Sequence, residues 1–115
     1  MINHVVMMKF KPDVRESDIK NLEQSLDTLP NTIFEILSYE FGMDIIKAER
    51  SFDFALVALF ANTETLKRYQ NHPDHLVMVD TLQQMCENIY TVDFEGTDSS
   101  SLRKDETSEY EKIEI

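Results

Sequence analysis

The segment Phe52–Ala61 constrains the fold more than any other part of the sequence, because it alternates like a β-strand and is apolar on both faces. A strand of this kind belongs inside a sheet that is covered on both sides. Its longest apolar run, Phe54–Ala61, is far too short to span a bilayer. We therefore expect a soluble protein built on a sheet whose two faces both need a cover.

Apolar periodicity predicts three more strands and three helices around this segment. Gly42 interrupts one strand, which suggests a bulge or a close backbone approach. Ser17 is expected to cap the first helix and Pro30 to end it. The predicted inward stripe of the last helix is Leu76, Val79, Leu82 and Cys86. The predicted elements are a strand at Val5–Phe10, a helix at Ser17–Leu29, strands at Ile36–Ile45 and Phe52–Ala61, helices at Glu64–Asn71 and His72–Glu87, and a strand at Ile89–Phe94.

This order of elements is the split βαβ plan of the α+β, ferredoxin-like class, a four-stranded antiparallel sheet with its helices on one face. The second apolar face then needs its own cover, and a second copy packed sheet against sheet is the simplest one. We therefore expect a homodimer with a barrel-like core, a dimeric α/β barrel. The alternative is a monomer whose C-terminal tail covers the sheet, and the few apolar residues of the tail weigh against it.

Composition divides the chain into one domain, residues 1–96, and an acidic polar tail, residues 97–115. The tail has six acidic and three basic residues and few aliphatic ones, so it is expected to be flexible or weakly docked. The net charge of −11 makes phosphate backbones and anionic lipid poor partners, so neither nucleic acid nor a membrane is expected. The N-terminus lacks the pattern of a signal peptide, which predicts a cytoplasmic location.

No cofactor or metal is expected from the residues present. The single cysteine, Cys86, excludes an intrachain disulfide and the cysteine-based zinc patterns. Two glycines in the whole chain argue against a nucleotide held by backbone amides. The three histidines, His4, His72 and His75, have no recognisable metal-ligand spacing.

The strongest candidate for chemistry is the segment from Tyr69 to His75. His75 falls near the third position of the predicted helix, where the helix dipole disfavours an imidazolium and keeps the ring neutral. A neutral imidazole can act as a general base, and the Tyr69 hydroxyl can hold a carbonyl or enolate oxygen. The structural alternative is that His72 merely begins a helix and Tyr69 is a core aromatic. His4, on the first strand, either points into the sheet and needs a polar partner or lies at a solvent-exposed edge.

Four motifs together resemble the stress-responsive dimeric α/β-barrel (Dabb) family. They are the first strand His4–Lys11, the segment Leu37–Gly42, the apolar strand through Phe60, and His72-Pro73-Asp74-His75. The resemblance covers the chain from about Asn3 to Glu95, in the family's order. It implies the ferredoxin-like protomer and the two-fold barrel dimer that the residues also predict.

The resemblance also implies a candidate activity. A plant branch of the family cyclises a linear polyketide thioester by aldol condensation. It uses a tyrosine, the second histidine of a His-Pro-x-His motif and the histidine that opens the first strand. The matching positions here are Tyr69, His75 and His4, whereas a further pocket histidine of that branch corresponds to Phe54. The pocket wall therefore differs, and with it the substrate.

We thus expect a homodimer that binds a small apolar or carbonyl-containing ligand in a cavity between sheet and helices. Tyr69, His75 and His4 are its expected catalytic groups if it is an enzyme, with cyclase- or lyase-like proton transfer as the chemistry. His72 and Phe54 are expected to contact the ligand. The competing hypothesis is a non-catalytic structural or stress-protective dimer, which predicts a filled core with no cavity near His75. A haem or redox role is a third alternative.

Overall fold

The computed structural model describes residues 1–96, and the predicted tail, residues 97–115, lies outside the described residues. Four strands and three helices make up the described part. They are β1 (Ile2–Phe10), α1 (Glu16–Thr32), β2 (Ser38–Met43), β3 (Phe54–Phe60), α2 (Thr63–Asn71), α3 (Pro73–Met85) and β4 (Cys86–Glu95). None of these three helices is both long enough and apolar enough to cross a membrane.

The four strands form one antiparallel sheet in the order β2-β3-β1-β4. The two inner strands are β3 and β1, whose sequences are apolar on both faces, as buried inner strands require. The predicted α+β, ferredoxin-like protomer is therefore confirmed.

Alternate residues of the inner strands form a helix-covered face and an open face of the sheet. On the helix-covered face, Met8, Phe54 and Ala58 are almost fully buried, and Leu22 and Leu26 of α1 belong to the same apolar core. The open face presents Met7, Val57, Tyr90, Val92 and Phe94, which are 38% to 55% exposed in the single chain.

Helix α1 extends beyond its predicted bounds at both ends. Ser17 is not its cap, because the N-cap is Arg15, whose backbone N–H donates to the Asp18 carboxylate over 2.9 Å. Pro30 does not end the helix, because it lies in the last turn, where its missing N–H removes a single hydrogen bond. Ile33 is fully buried and donates its N–H to the Leu29 carbonyl, so burial holds this last turn in place.

Strand β2 is shorter than predicted and regular throughout. Its pairing with β3 passes through Gly42 without a shift in register, so the expected bulge is absent. A Cβ built at Gly42 meets no atom within 4 Å, and the expected close backbone approach is also absent from the single chain. Ile45, predicted as the last residue of the strand, lies in the following loop and is 86% exposed.

The junction of α3 and β4 differs from the prediction in two ways. The helix ends at Met85, and Cys86 is buried as the first residue of β4 rather than as part of a helical stripe. Leu76 is 54% exposed, whereas Met78 and Leu82 are buried. Residues two apart on a helix point in nearly opposite directions, so the burial of Met78 turns Leu76 to solvent.

Candidate functional site

A cavity of about 280 Å³ lies between the helix-covered face of the sheet and the helices. Apolar side chains form most of its wall, including Val6, Leu56 and Leu26. Gln83 and Thr91 are the exposed polar residues that line it between α3 and β4. An engineered apolar cavity of roughly 150 Å³ holds benzene, so this volume suits one substituted ring or a chain of similar size.

Strand register brings three polar side chains into one row across the sheet. Tyr39 of β2 pairs with Ala58 of β3, Ala58 pairs with His4 of β1, and His4 pairs with Asp93 of β4. Directly paired residues of antiparallel strands share a face. Tyr39 and His4 of this row line the cavity, so residues far apart in sequence meet at one site.

Tyr69 projects from α2 over this row. Asn62 fixes the start of the helix by accepting a hydrogen bond from the Thr65 N–H over 2.9 Å. The Tyr69 ring is 1% exposed, and its hydroxyl lies 2.8 Å from the Tyr39 hydroxyl. Burial raises the pKa of Tyr69 to about 12, with the bond from Tyr39 acting in the opposite direction. The phenol is therefore protonated at neutral pH and can donate a hydrogen bond.

His75 lies at the start of α3, and its ring centroid is 4.3 Å from that of Tyr69. Its Nδ1 is 3.0 Å from the Gln70 carbonyl oxygen, and because a carbonyl only accepts, Nδ1 must carry the proton. In the neutral ring the lone pair is then on Nε2. Burial lowers the pKa of His75 below its ordinary 6.5, although the bond to Gln70 opposes this shift. The ring is therefore a neutral base at pH 7, as the sequence predicted, and burial is the largest cause of the lowered pKa.

His4 is buried, with 5% of its surface exposed, so its side chain points into the sheet and not to a solvent-exposed edge. The polar partner that such a position requires is Asp93, whose carboxylate oxygen lies 2.5 Å from His4 Nδ1. A carboxylate accepts when ionised, so Nδ1–H donates to it and Nε2 is the free ring nitrogen. The ring centroid of His4 is 6.0 Å from that of Tyr69.

Of the five residues singled out from the sequence, the structure brings Tyr69, His75 and His4 together and leaves His72 and Phe54 outside the cavity wall. His72 is the N-cap of α3, and its Nδ1 accepts from the Asp74 N–H over 3.1 Å. The Phe54 ring is 1% exposed, and its ring neighbours are Phe10 and Phe41. The geometry therefore assigns helix capping to His72 and core packing to Phe54.

Sequence reasoning missed Tyr39 and Asp93 as site residues. Asp93 could have been noticed in the sequence. It is an acidic residue on the same strand face as Ile89 and Thr91, where the alternation of the strand predicts an inward-facing side chain. Tyr39 left almost no signal, because an aromatic residue on a strand is ordinary and its partner Tyr69 is thirty positions away on a helix.

Nothing in residues 1–96 groups three histidine, cysteine or acidic side chains in an arrangement able to hold a metal ion. Cys86 is buried, and burial raises the pKa of its thiol to about 11, so the reactive thiolate is disfavoured. The polar groups available to a ligand in the cavity are thus hydroxyls, imidazoles and amides.

Comparisons with known proteins agree on the fold. The family described as the stress responsive A/B barrel domain matches residues 2–96. Olivetolic acid cyclase from Cannabis sativa is 22% identical over 95 residues, which cover 81% of this chain and 94% of the cyclase.

Two bacterial crystal structures are similar at higher identity. One, from Thermobifida fusca, is described as a dimeric ferredoxin-like protein of unknown function; it is 29% identical, with a TM-score of 0.75 over 81% of this chain and 88% of that one. The other, a dimeric protein of unknown function from Bacteroides fragilis, is 26% identical, with a TM-score of 0.74 over 83% and 95% of the two chains. Both of these similar proteins are thus described as dimers with a ferredoxin-like fold.

Proposed function

Because the chain belongs to the stress responsive A/B barrel domain family, we propose that it acts as a homodimer in which each protomer binds one small, mostly apolar, carbonyl-containing ligand. The ligand occupies the cavity beside Tyr69 and His75. Its predicted location in the cytoplasm stays an expectation from the sequence.

The observation that carries this proposal is the pairing of a hydrogen-bond donor and a base in one apolar cavity. Tyr69 offers a protonated phenol and His75 a neutral imidazole, and their rings are in contact. Ligand sites are mostly apolar clefts with a few converging polar groups. A filled core, which the structural hypothesis predicts, would have no such space near His75.

The homodimer is supported by the open face of the sheet. Val57 and Val92 flank Val5 in one row at its centre, and Tyr90 and Phe94 extend the apolar surface along β4. Apolar surface of this kind marks an interaction site, and the bacterial proteins with this fold are described as dimers.

The same cavity supports proton transfer next to a carbonyl group. His75 Nε2 takes a proton from the carbon beside the carbonyl, and the C–H electron pair forms the double bond of an enolate. The carbonyl π pair moves to oxygen, where the Tyr69 O–H donates a hydrogen bond. Return of the proton from His75 to carbon restores the ketone, so the step balances without a cofactor.

Thermal-shift measurements test ligand binding with planar phenols, β-keto acids and thioesters. A ligand at about one hundred times its Kd adds about 2.7 kcal/mol, or roughly 10–20 °C in Tm for a domain of this size. We expect a saturable shift in wild type and in Tyr90→Phe, whose hydroxyl lies on the open face, and a reduced one in His75→Ala. If none of these compounds stabilises the wild-type protein, the proposed ligand site loses its support.

Deuterium exchange into the methyl group of acetophenone, followed by NMR in D₂O, tests the chemistry. The ring and the acetyl group match the cavity in size, and the reaction needs only the base and the oxygen-binding group. We expect faster exchange with wild type than with buffer, and the buffer rate with His75→Ala. Binding without faster exchange would reduce the proposal to a binding protein.

The non-catalytic structural or stress-protective dimer is a second candidate, favoured by one observation. The bond from His75 Nδ1 to the Gln70 carbonyl ties the start of α3 to the end of α2, and this alone gives the histidine a structural use. This candidate predicts that His75→Ala lowers Tm while no compound in the thermal-shift series raises it.

A further inference from the structure

The hydroxyl of Tyr39 is a polar group of the cavity that neither the sequence motifs nor the proposed chemistry uses. Tyr39 stands on β2, the edge strand, and reaches the cavity beside Tyr69, with the two hydroxyl oxygens 2.8 Å apart. Both rings also pack together, with centroids 6.2 Å apart. The contact joins the edge of the sheet to α2 at the point where a ligand oxygen is expected.

Proton counting leaves two arrangements for this pair, since each hydroxyl has one proton to donate. If Tyr69 donates to Tyr39, its proton is used and cannot reach a ligand. If Tyr39 donates to Tyr69, the Tyr69 oxygen is satisfied as an acceptor and its own proton is free. Among residues 1–96, Tyr39 is the hydrogen-bond partner of the Tyr69 hydroxyl, so a ligand oxygen is the natural acceptor for that free proton.

We propose that Tyr39 is a positioning residue for Tyr69: it donates its proton to the Tyr69 oxygen, so that Tyr69 donates to a carbonyl or phenolate oxygen of the ligand. The inference rests on the proposed ligand site and narrows its ligands to compounds that present such an oxygen. Two hydrogen bonds in series polarise each other, so the outer bond to the ligand is strengthened.

The electrostatics of the pair keep both hydroxyls available as donors. Burial raises the pKa of both phenols, and that of Tyr39 is raised further by its contact with Tyr69. At Tyr69 the hydrogen bond from Tyr39 acts in the opposite direction. Both phenols therefore keep their protons at neutral pH, as two hydrogen bonds in series require.

Binding of para-nitrophenol tests the proposal, because its ionised oxygen accepts hydrogen bonds and its visible absorbance reports how strongly donors hold that oxygen. Nitrobenzene has a similar shape and the same nitro group but lacks the phenol oxygen, so it is the control ligand. The proteins are wild type, Tyr39→Phe, Tyr69→Phe, the double variant and Tyr90→Phe as the control variant. Unchanged nitrobenzene affinity in the variants shows that the cavity is intact.

For para-nitrophenol we expect Tyr69→Phe to raise Kd by roughly 10- to 100-fold, the value of one hydrogen bond to a charged group. Tyr39→Phe should raise it by roughly two- to fivefold and shift the absorbance of the bound phenolate. The double variant should bind as weakly as Tyr69→Phe alone, because Tyr39 acts only through Tyr69.

Three outcomes overturn this proposal or its premise, and they are distinct. A wild-type Kd in Tyr39→Phe removes any role for Tyr39. A further loss in the double variant shows that Tyr39 contacts the ligand oxygen itself and is not a positioning residue. Failure of wild type to bind either ligand overturns the proposed ligand site, on which the inference rests.

Discussion

The helix-covered face and the open face are built from alternate residues of the same four strands, yet they differ in kind. The helix-covered face holds polar groups with defined partners, His4 with Asp93 and Tyr39 with Tyr69. The open face presents apolar side chains such as Val57 and Phe94 to solvent in the single chain. Partnered polar groups thus lie within the mostly apolar helix-covered face, while the open face presents apolar side chains to solvent. This difference fits the proposed ligand site on the helix-covered face and the proposed dimer interface on the open face.

The largest expected effect is loss of the dimer through a substitution on the open face. Val57→Glu places a carboxylate from each protomer in the proposed interface, and an uncompensated buried charge costs about 3–5 kcal/mol. We expect a dimer for wild type and a monomer for Val57→Glu in sedimentation velocity at micromolar concentration. Val77→Glu, at an exposed apolar position on α3, is the matched control and should stay dimeric. A dimeric Val57→Glu would show that the open face is not the interface.

The next effect concerns the apolar core beneath the helices. Phe54→Ala should lower the free energy of unfolding by about 3–5 kcal/mol, because it leaves a cavity between Phe10 and Phe41. Phe94→Ala, made in the monomeric Val57→Glu protein, should change it by no more than about 0.5 kcal/mol, as for an exposed site. Urea unfolding measures both. Equal losses at the two positions would contradict the assigned difference between the faces.

A smaller effect separates the chemical role of the Tyr69 hydroxyl from the packing of its ring. Tyr69→Phe keeps the ring and removes the oxygen-binding donor, so the exchange rate of acetophenone should fall by about 10²–10³, which is about 2.7–4 kcal/mol. Tyr90→Phe removes a hydroxyl on the open face and should leave the rate unchanged. NMR of the methyl resonance gives both rates. Unchanged exchange in Tyr69→Phe would remove the assigned role of this hydroxyl.

His72 and His75 provide a matched pair within one motif. His72→Ala removes the side-chain cap of α3 and should cost about 0.5–2 kcal/mol, whereas His72→Asn retains a good N-cap and should recover most of that loss. Chemical denaturation gives these free energies. Neither variant should weaken binding of the ligands found by thermal shift. A loss of binding in His72→Asn would show that His72 contacts the ligand, as the sequence suggested.

The smallest expected effect is the pH dependence that His75 confers. Its folded-state pKa lies below the 6.5 of the unfolded chain, because burial disfavours the charged ring. The unfolded state therefore binds more protons as pH falls below 6.5, and this contribution lowers stability until the folded-state pKa is passed. His75→Asn lacks the titration, so its Tm should fall less than that of wild type over this window. Parallel Tm profiles would contradict the assigned protonation state.

The sequence predicted the architecture well because its determinants are local. The alternation in β3 identified an inner strand, and the spacing of leucines along α1 identified a helix with one buried side. Its errors lie at element ends such as Pro30, where burial of Ile33 outweighs the local preference of proline. The end of α3 at Met85 likewise reflects the strand pairing of Cys86 with Phe10, a partner far away in the chain.

The candidate site was predicted only in part, for a related reason. The sequence by itself determined which residue types are available, and it identified Tyr69, His75 and His4. Only the tertiary structure decided that Asp93 holds His4, that Tyr39 joins Tyr69, and that His72 caps a helix outside the cavity. Helical and strand periodicity are properties of neighbouring residues and can be predicted from the chain alone. Contacts across the sheet depend on strand register, which is fixed by the packing of the whole domain.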